Sequence, residues 1–257
     1  MRADHGILNC LINRRSLINS LLVLGVLALT GIVPVQAQSE PMKIGIIGTG
    51  KIGGALARHW ANAGYELVIS SRHPEELEPL AEELGDRVRA GTSREAAAFG
   101  DVILISVPYA ATPQIGKDFA DELKGKVVLD TGNPFENRDG PMAQEALNKG
   151  VGRASADFLR GTKVVRAYNC IPAASLANDA DRKPGRIAIP IAGDDAGAIA
   201  IAQRLVRDSG FDPVVIGNLD DSRLFELGQP LARGQFTAAE MEAKLNEVKS
   251  QKSITGQ

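Results

Sequence analysis

From Met42 onward, short runs rich in Ile and Val alternate with segments whose apolar positions recur at helical spacing, which is the rhythm of parallel βαβ units. Lys43–Gly48 reads as a first strand, Ile52–Ala63 as a helix, Glu66–Ser70 as a second strand and Pro74–Leu84 as a charged surface helix. A weak strand at Val88 and a short helix over Ser93–Phe99 follow. The Val, Ile and Leu run within Asp101–Val107 is what a strand covered on both faces requires, and Lys126–Asp130 repeats it. The pattern then loosens from Thr131 to Gly140. It resumes with strands near Val164–Tyr168 and Arg186–Ala192, an amphipathic helix over Asp194–Ser209 with Ile199, Leu205 and Val206 turned to the sheet, and a last strand at Phe211–Ile216. Thr237 and Glu240 have capping-box spacing and open a final helix expected to reach Lys249, with residues 250–257 expected to be a disordered tail. The predicted fold class is α/β: a Rossmann-type, doubly wound, mostly parallel sheet with helices on both faces, spanning residues 42–230.

The first residues follow a different pattern. Arg14 and Arg15 precede an uncharged run from Leu17 to about Val33, and Val35-Gln36-Ala37 places small residues where a signal peptidase reads them. Residues 1–37 are therefore expected to be an export signal cleaved after Ala37, and the twin arginine fits the Tat route, which carries folded proteins. An ordinary secretory signal or an uncleaved anchor are the alternatives, the apolar run approaching the roughly 18 residues that span a bilayer. All three put the globular part beyond the membrane, with a periplasmic location expected, and no later run is apolar enough for a stable membrane span. Losing Arg2, Arg14, Arg15 and Asp4 moves the formal charge from −2 to −4, which speaks against nucleic acid as a partner. Cys10 falls in the signal, so Cys170 is left without a partner for a disulfide, and His5, His59 and His73 are too scattered for a metal site.

Gly48-Thr49-Gly50-Lys51-Ile52-Gly53 is a G-x-G-x-x-G between a predicted strand and a predicted helix. Gly48 permits the tight turn, Gly50 lets a pyrophosphate approach the backbone, and Gly53 allows close helix–strand packing. A protein preferring NAD would carry Asp or Glu at the end of the second strand; this chain has Ser70-Ser71-Arg72-His73. A serine hydroxyl donates to a 2′-phosphate and a guanidinium grips it with two prongs, so Ser71 and Arg72 point to NADP. Two more strand ends, Ser106-Val107-Pro108-Tyr109 and Asp130-Thr131-Gly132-Asn133-Pro134, are expected to face the nicotinamide half. Pro108 and Pro134 end the sheet there, and Tyr109 and Asn133 are candidates to reach a substrate.

The order of motifs resembles the NADPH-dependent reductases of the deazaflavin coenzyme F-420, and the related N-terminal oxidoreductase domain of the STEAP metalloreductases. The resemblance runs from Met42–Gly50 through Ser71-Arg72 to Val165–Ala173, then continues in Ile189–Asp195 and Asp221–Glu226. It implies phosphate contacts at Thr49, Gly50, Lys51 and Ile52, 2′-phosphate contacts at Ser71 and Arg72, and positions near the nicotinamide for Val107 and Ala167. One departure is that acidic Glu75-Glu76 stand where the family has a basic residue, which lowers the expected affinity for NADP. The resemblance does not extend to the transmembrane haem domain of the metalloreductases, so electron delivery through a membrane is not expected.

The resemblance also implies direct hydride transfer between stacked rings, in which the protein orients the partners and excludes water. No catalytic acid, base or nucleophile is therefore named. The expected activity is that of an NADP-dependent oxidoreductase whose second partner is a flat small-molecule acceptor, F-420 or a flavin, in a possible homodimer. Reduction of a small carbonyl or imine, or cofactor binding without turnover outside the cytoplasm, are the competing readings.

Overall fold

The computed structural model describes residues 42–232 and 234–255, so the expected export signal lies outside the described residues. Eight strands form one sheet: β1 (Lys43–Ile47), β2 (Glu66–Ser70), β3 (Val88–Gly91), β4 (Val102–Ile105), β5 (Val127–Asp130), β6 (Lys163–Arg166), β7 (Ala188–Gly193) and β8 (Asp212–Gly217). Their order is β3-β2-β1-β4-β5-β6-β7-β8, parallel from β3 to β6, with β7 antiparallel to β6 and β8 parallel to β7. The Rossmann-type, mostly parallel α/β sheet is the one expected. Among the described residues no helix is long and apolar enough to cross a membrane.

Alternation of side chains along each strand divides the core into two layers. Ile44, Ile46, Leu67, Ile69, Leu104 and Leu129 face Leu56, Trp60, Leu205 and Val206 on one side. Ile47, Val68, Ile103, Ile105 and Val128 face Ala96, Ala97, Ile115 and Leu123 on the other. Because both faces are covered, the strands read as unbroken apolar runs. Leu205 and Val206 are buried as expected, and Ile199 is partly buried against the same layer.

Several boundaries differ from expectation for local reasons. The segment Pro74–Leu84 begins as a 3₁₀ turn, Pro74–Leu77, and becomes α-helix only over Glu78–Leu84, with Pro79 in the first turn where its missing N–H is harmless. The loosened stretch after Asp130 contains three helices, Glu136–Asp139, Pro141–Lys149 and Val151–Phe158. They are short because Gly140 and Gly150 adopt φ of +68° and +91° between them. Their buried face is built largely of small residues, Ala143, Ala146 and Ala154, which give a weak apolar periodicity. At the C-terminus the capping box forms, Thr237 N–H donating to Glu240 and Glu240 N–H to Thr237 Oγ1. The helix it opens, Ala238–Thr255, runs past Lys249 into the stretch expected to be a disordered tail. No Gly or Pro interrupts it before Gly256.

Helix Ser93–Phe99 sits so close to β1 that a Cβ at Gly45 would lie 2.0 Å from the Ala96 carbonyl oxygen. Backbone, not a flexible side chain, blocks that space. Gly45→Ala is expected to cost about 3 kcal/mol by forcing helix and sheet apart, read as a lower midpoint in chemical denaturation.

Candidate functional site

Register places the site before any side chain is considered. Gly91, Ser70, Ile47, Ile105, Asp130 and Arg166 are paired across successive strands, so β3, β2, β1, β4, β5 and β6 end on one row. The loops leaving them emerge along a single edge, with the change of winding direction between β1 and β4, where ligands of such sheets bind.

The β1 exit is tied to the β2 exit through one carbonyl. Ser70 O accepts from Gly48 N–H (3.1 Å), Thr49 N–H (3.0 Å) and Thr49 Oγ1 (3.0 Å), while Ser70 Oγ donates to Ile46 O at 2.8 Å. Gly48 has φ +96°, and a Cβ there would stand 2.3 Å from Ser106 O and 2.7 Å from Val107 Cγ1. Val107 is thereby set directly against the turn. A Cβ at Gly53 would meet Gly48 O at 2.1 Å, so the third glycine brings helix α1 (Lys51–Asn62) onto the strand end. Gly50 differs from both: a Cβ there would meet nothing within 4 Å. It is the N-cap of α1, with no side-chain cap and no acidic residue in the first turn. The N–H groups of that first turn, with the positive end of the helix dipole, are an anion site open to solvent. Lys51 is exposed and Ile52 half-buried beside it.

At the β2 exit, Ser71 Oγ accepts from His73 N–H (3.0 Å) and Arg72 is exposed with no hydrogen bond or ion pair to any described residue. Glu75 pairs with His73, 3.4 Å between Oε1 and Nδ1, leaving the Arg72 guanidinium uncompensated. The acidic pair that weakens the expected phosphate site therefore does not neutralise its main cation.

At the β4 exit, Pro108 is exposed and its carbonyl receives Ala111 N–H. Tyr109 turns inward instead of toward a ligand: it is fully buried, its hydroxyl 3.0 Å from Ser155 Oγ, so it is a core residue and cannot contact a substrate. Burial drives its pKa above the ordinary tyrosine value, with the nearby Asp130 adding to the rise. Asn133 is half-buried and spends its amide N–H on Asn169 O at 2.6 Å, leaving Oδ1 without a partner among the described residues. Ala167 is fully buried, and its N–H reaches Asp130 O at 3.3 Å. Asp139 clasps the loop wall, accepting from Phe135 N–H and Ala110 N–H and pairing with Arg138. Desolvation pushes the Asp139 carboxyl up, but Arg138 and the two amides together outweigh it and hold the group below the usual range.

Sequence reasoning missed the buried pair at this edge. Arg166 Nη1 donates to Asp130 Oδ2 at 2.8 Å, and both side chains are 0% exposed. The available signal was two opposite charges at the ends of otherwise apolar strands, Val127–Asp130 and Lys163–Arg166. Cys170, next along, is half-buried as a residue, and desolvation of its thiol pushes the pKa up to about 12, so it is no nucleophile at neutral pH. No cluster of His, Cys, Asp and Glu suited to a metal occurs among the described residues.

Residues 43–134 match the family described as NADP oxidoreductase, coenzyme F420-dependent. The F420-dependent NADP reductase of Methanothermobacter thermautotrophicus is 32% identical over 204 residues, covering 74% of this chain and 87% of that protein. Metalloreductase STEAP3 of Rattus norvegicus is 28% identical over 196 residues, covering 74% of this chain but 37% of that longer protein. Among solved structures, the hypothetical protein SMa0349 of Sinorhizobium meliloti superposes with a TM-score of 0.68 at 30% identity, covering 78% of this chain and 97% of the other. The chain belongs to the coenzyme F420-dependent NADP oxidoreductase family, and with it to the NADP-dependent oxidoreductases.

Proposed function

We propose that this protein exchanges hydride between NADPH and a flat redox acceptor, the deazaflavin F-420 or a flavin, along the strand-exit edge. The observation that carries the reading is the contrast among the three motif glycines: Gly48 and Gly53 are closed off by protein, whereas Gly50 opens onto free space at an uncapped helix terminus. Residue chemistry fits NADP at the neighbouring β1 and β2 exits. The α1 N–H groups and Lys51 suit a pyrophosphate, and Ser71 with the uncompensated Arg72 suits a 2′-phosphate. Val107 and the loops after β5 and β6 then face the other half. NADPH supplies the hydride when bound; the chain's own part is to bind, orient and exclude water. The buried, neutral Cys170 and Tyr109 agree with a mechanism that needs no protein nucleophile. The acceptor is taken from the relatives, which are F420-dependent NADP reductases.

We also read the first 37 residues as an export signal of the Tat type, so that the folded protein carries its cofactor into the periplasm. The support is the twin arginine, the apolar run and the Ala37 site.

Gly50→Ala is expected to fold with an unchanged melting temperature and to lose NADPH affinity, since the added methyl enters only the space a pyrophosphate needs. Arg72→Ala is expected to weaken NADPH about 10- to 100-fold while leaving NADH unchanged, from loss of a charged two-pronged contact. Fluorescence titration checks both; equal loss for NADPH and NADH would remove Arg72 from the 2′-phosphate site. Oxidation of NADPH by purified protein with F-420, flavin mononucleotide or no acceptor tests the reaction, and turnover with neither acceptor would sink it. Replacing Arg14-Arg15 by two lysines is expected to abolish periplasmic recovery, and recovery at the wild-type level would rule out the Tat route.

A further inference from the structure

The exits of β5 and β6 are built with more constraint than packing requires. All hydrogen bonds of the Arg166 guanidinium to described residues go to Asp130, from Nη1 to Oδ2 at 2.8 Å and to the main-chain O at 3.2 Å; Nε and Nη2 have none. Asp130 Oδ1 accepts Gly132 N–H at 2.9 Å, so one carboxylate holds both the arginine of β6 and the turn that follows β5. Gly132 is pinned as well, since a Cβ there would lie 2.8 Å from Tyr109 Cδ2. The two exits are then joined directly, Asn133 Nδ2 donating to Asn169 O at 2.6 Å, and Asn169 Nδ2 donating to Phe225 O at 3.0 Å.

Between Arg166 and Asn169 the chain reverses through Tyr168 at φ +59°, a conformation that bulky side chains avoid. Its hydroxyl lies 2.9 Å from Ser209 Oγ, and its ring packs edge-on against Trp60. A buried ion pair adds little that a well-packed apolar pair would not, and strained residues persist where the surroundings over-determine them, commonly at functional sites. Both occur within three positions of each other on the edge where the second half of a dinucleotide lies.

The geometry points to a positioning role: the Asp130–Arg166 pair, with the Tyr168 turn, holds the exits of β5 and β6 in the one arrangement that orients the nicotinamide for hydride transfer. Asp130 and Arg166 are positioning residues with no contact to the reacting atoms. The inference rests on NADPH lying along this edge as proposed above.

The test compares full-length wild type with Arg166→Lys, which keeps the charge, and with the double variant Asp130→Asn, Arg166→Met, which leaves no buried charge unpaired. Three quantities are measured on each: NADPH affinity, kcat with the acceptor that wild type uses, and amide hydrogen exchange. The double variant is expected to bind NADPH within about threefold of wild type and to lose about 100-fold in kcat, as a displaced reacting geometry does. Exchange should accelerate by about tenfold or more over residues 131–134 and 167–172 while β1, β2 and β4 keep their protection. Arg166→Lys should recover part of the kcat. Wild-type kcat and loop protection in the double variant would overturn the inference, as would loss of protection across the whole sheet in step with activity. Failure of wild type to bind NADPH would defeat the proposed function by itself, and the local exchange pattern would still decide whether the pair holds these loops.

Discussion

The carbonyl of Ser70 is the contact on which the rest of the edge depends. Three donors converge on it, the N–H groups of Gly48 and Thr49 and the Thr49 hydroxyl, so the tight turn after β1 is fastened to the last residue of β2. Two consequences follow. Helix α1 starts at a fixed place above the sheet with its first N–H groups free, and the Ser71-Arg72 pair leaves the sheet beside it. The α1 N-terminus and the Ser71-Arg72 pair are thus held by the same peptide group, and their spacing is set by the strand separation of a parallel sheet.

Glycine supplies the other half of that arrangement by letting backbones approach. Gly45 admits helix Ser93–Phe99 against β1, Gly48 admits the β4 exit, and Gly53 admits α1. In each case a methyl group would collide with main-chain atoms that cannot rotate aside. Gly50 is the exception, since a Cβ there would meet nothing within 4 Å and packing does not require the glycine. In the sequence Gly48, Gly50 and Gly53 read alike as motif glycines.

Charge is distributed along the edge with similar economy. Arg72 is exposed and has no hydrogen bond or ion pair to any described residue, while Arg166 is sealed beneath the β6 exit and compensated by Asp130. The first is open to solvent and the second is not. Asp139 does comparable structural work nearby, its carboxylate stabilised by Arg138 and by the amides of Phe135 and Ala110 despite its burial.

Much of this was legible in the chain alone because it depends on local pattern. Strand periods, the glycine spacing, the Ser71-Arg72 pair and the Thr237–Glu240 cap are each written within a few neighbouring residues. The helices over Glu136–Phe158 were not legible: their buried faces consist mostly of small residues, and glycines punctuate them, so no strong apolar period appears. Tyr109 looked like a residue at a cleft mouth because it follows a strand end, but its partner Ser155 lies in one of those unseen helices. The turning inward of Tyr109, the antiparallel seating of β7, and the meeting of Asp130 with Arg166 all depend on residues far apart in sequence. Tertiary packing alone decided them, since a parallel register is set between strands and leaves no mark on either strand by itself.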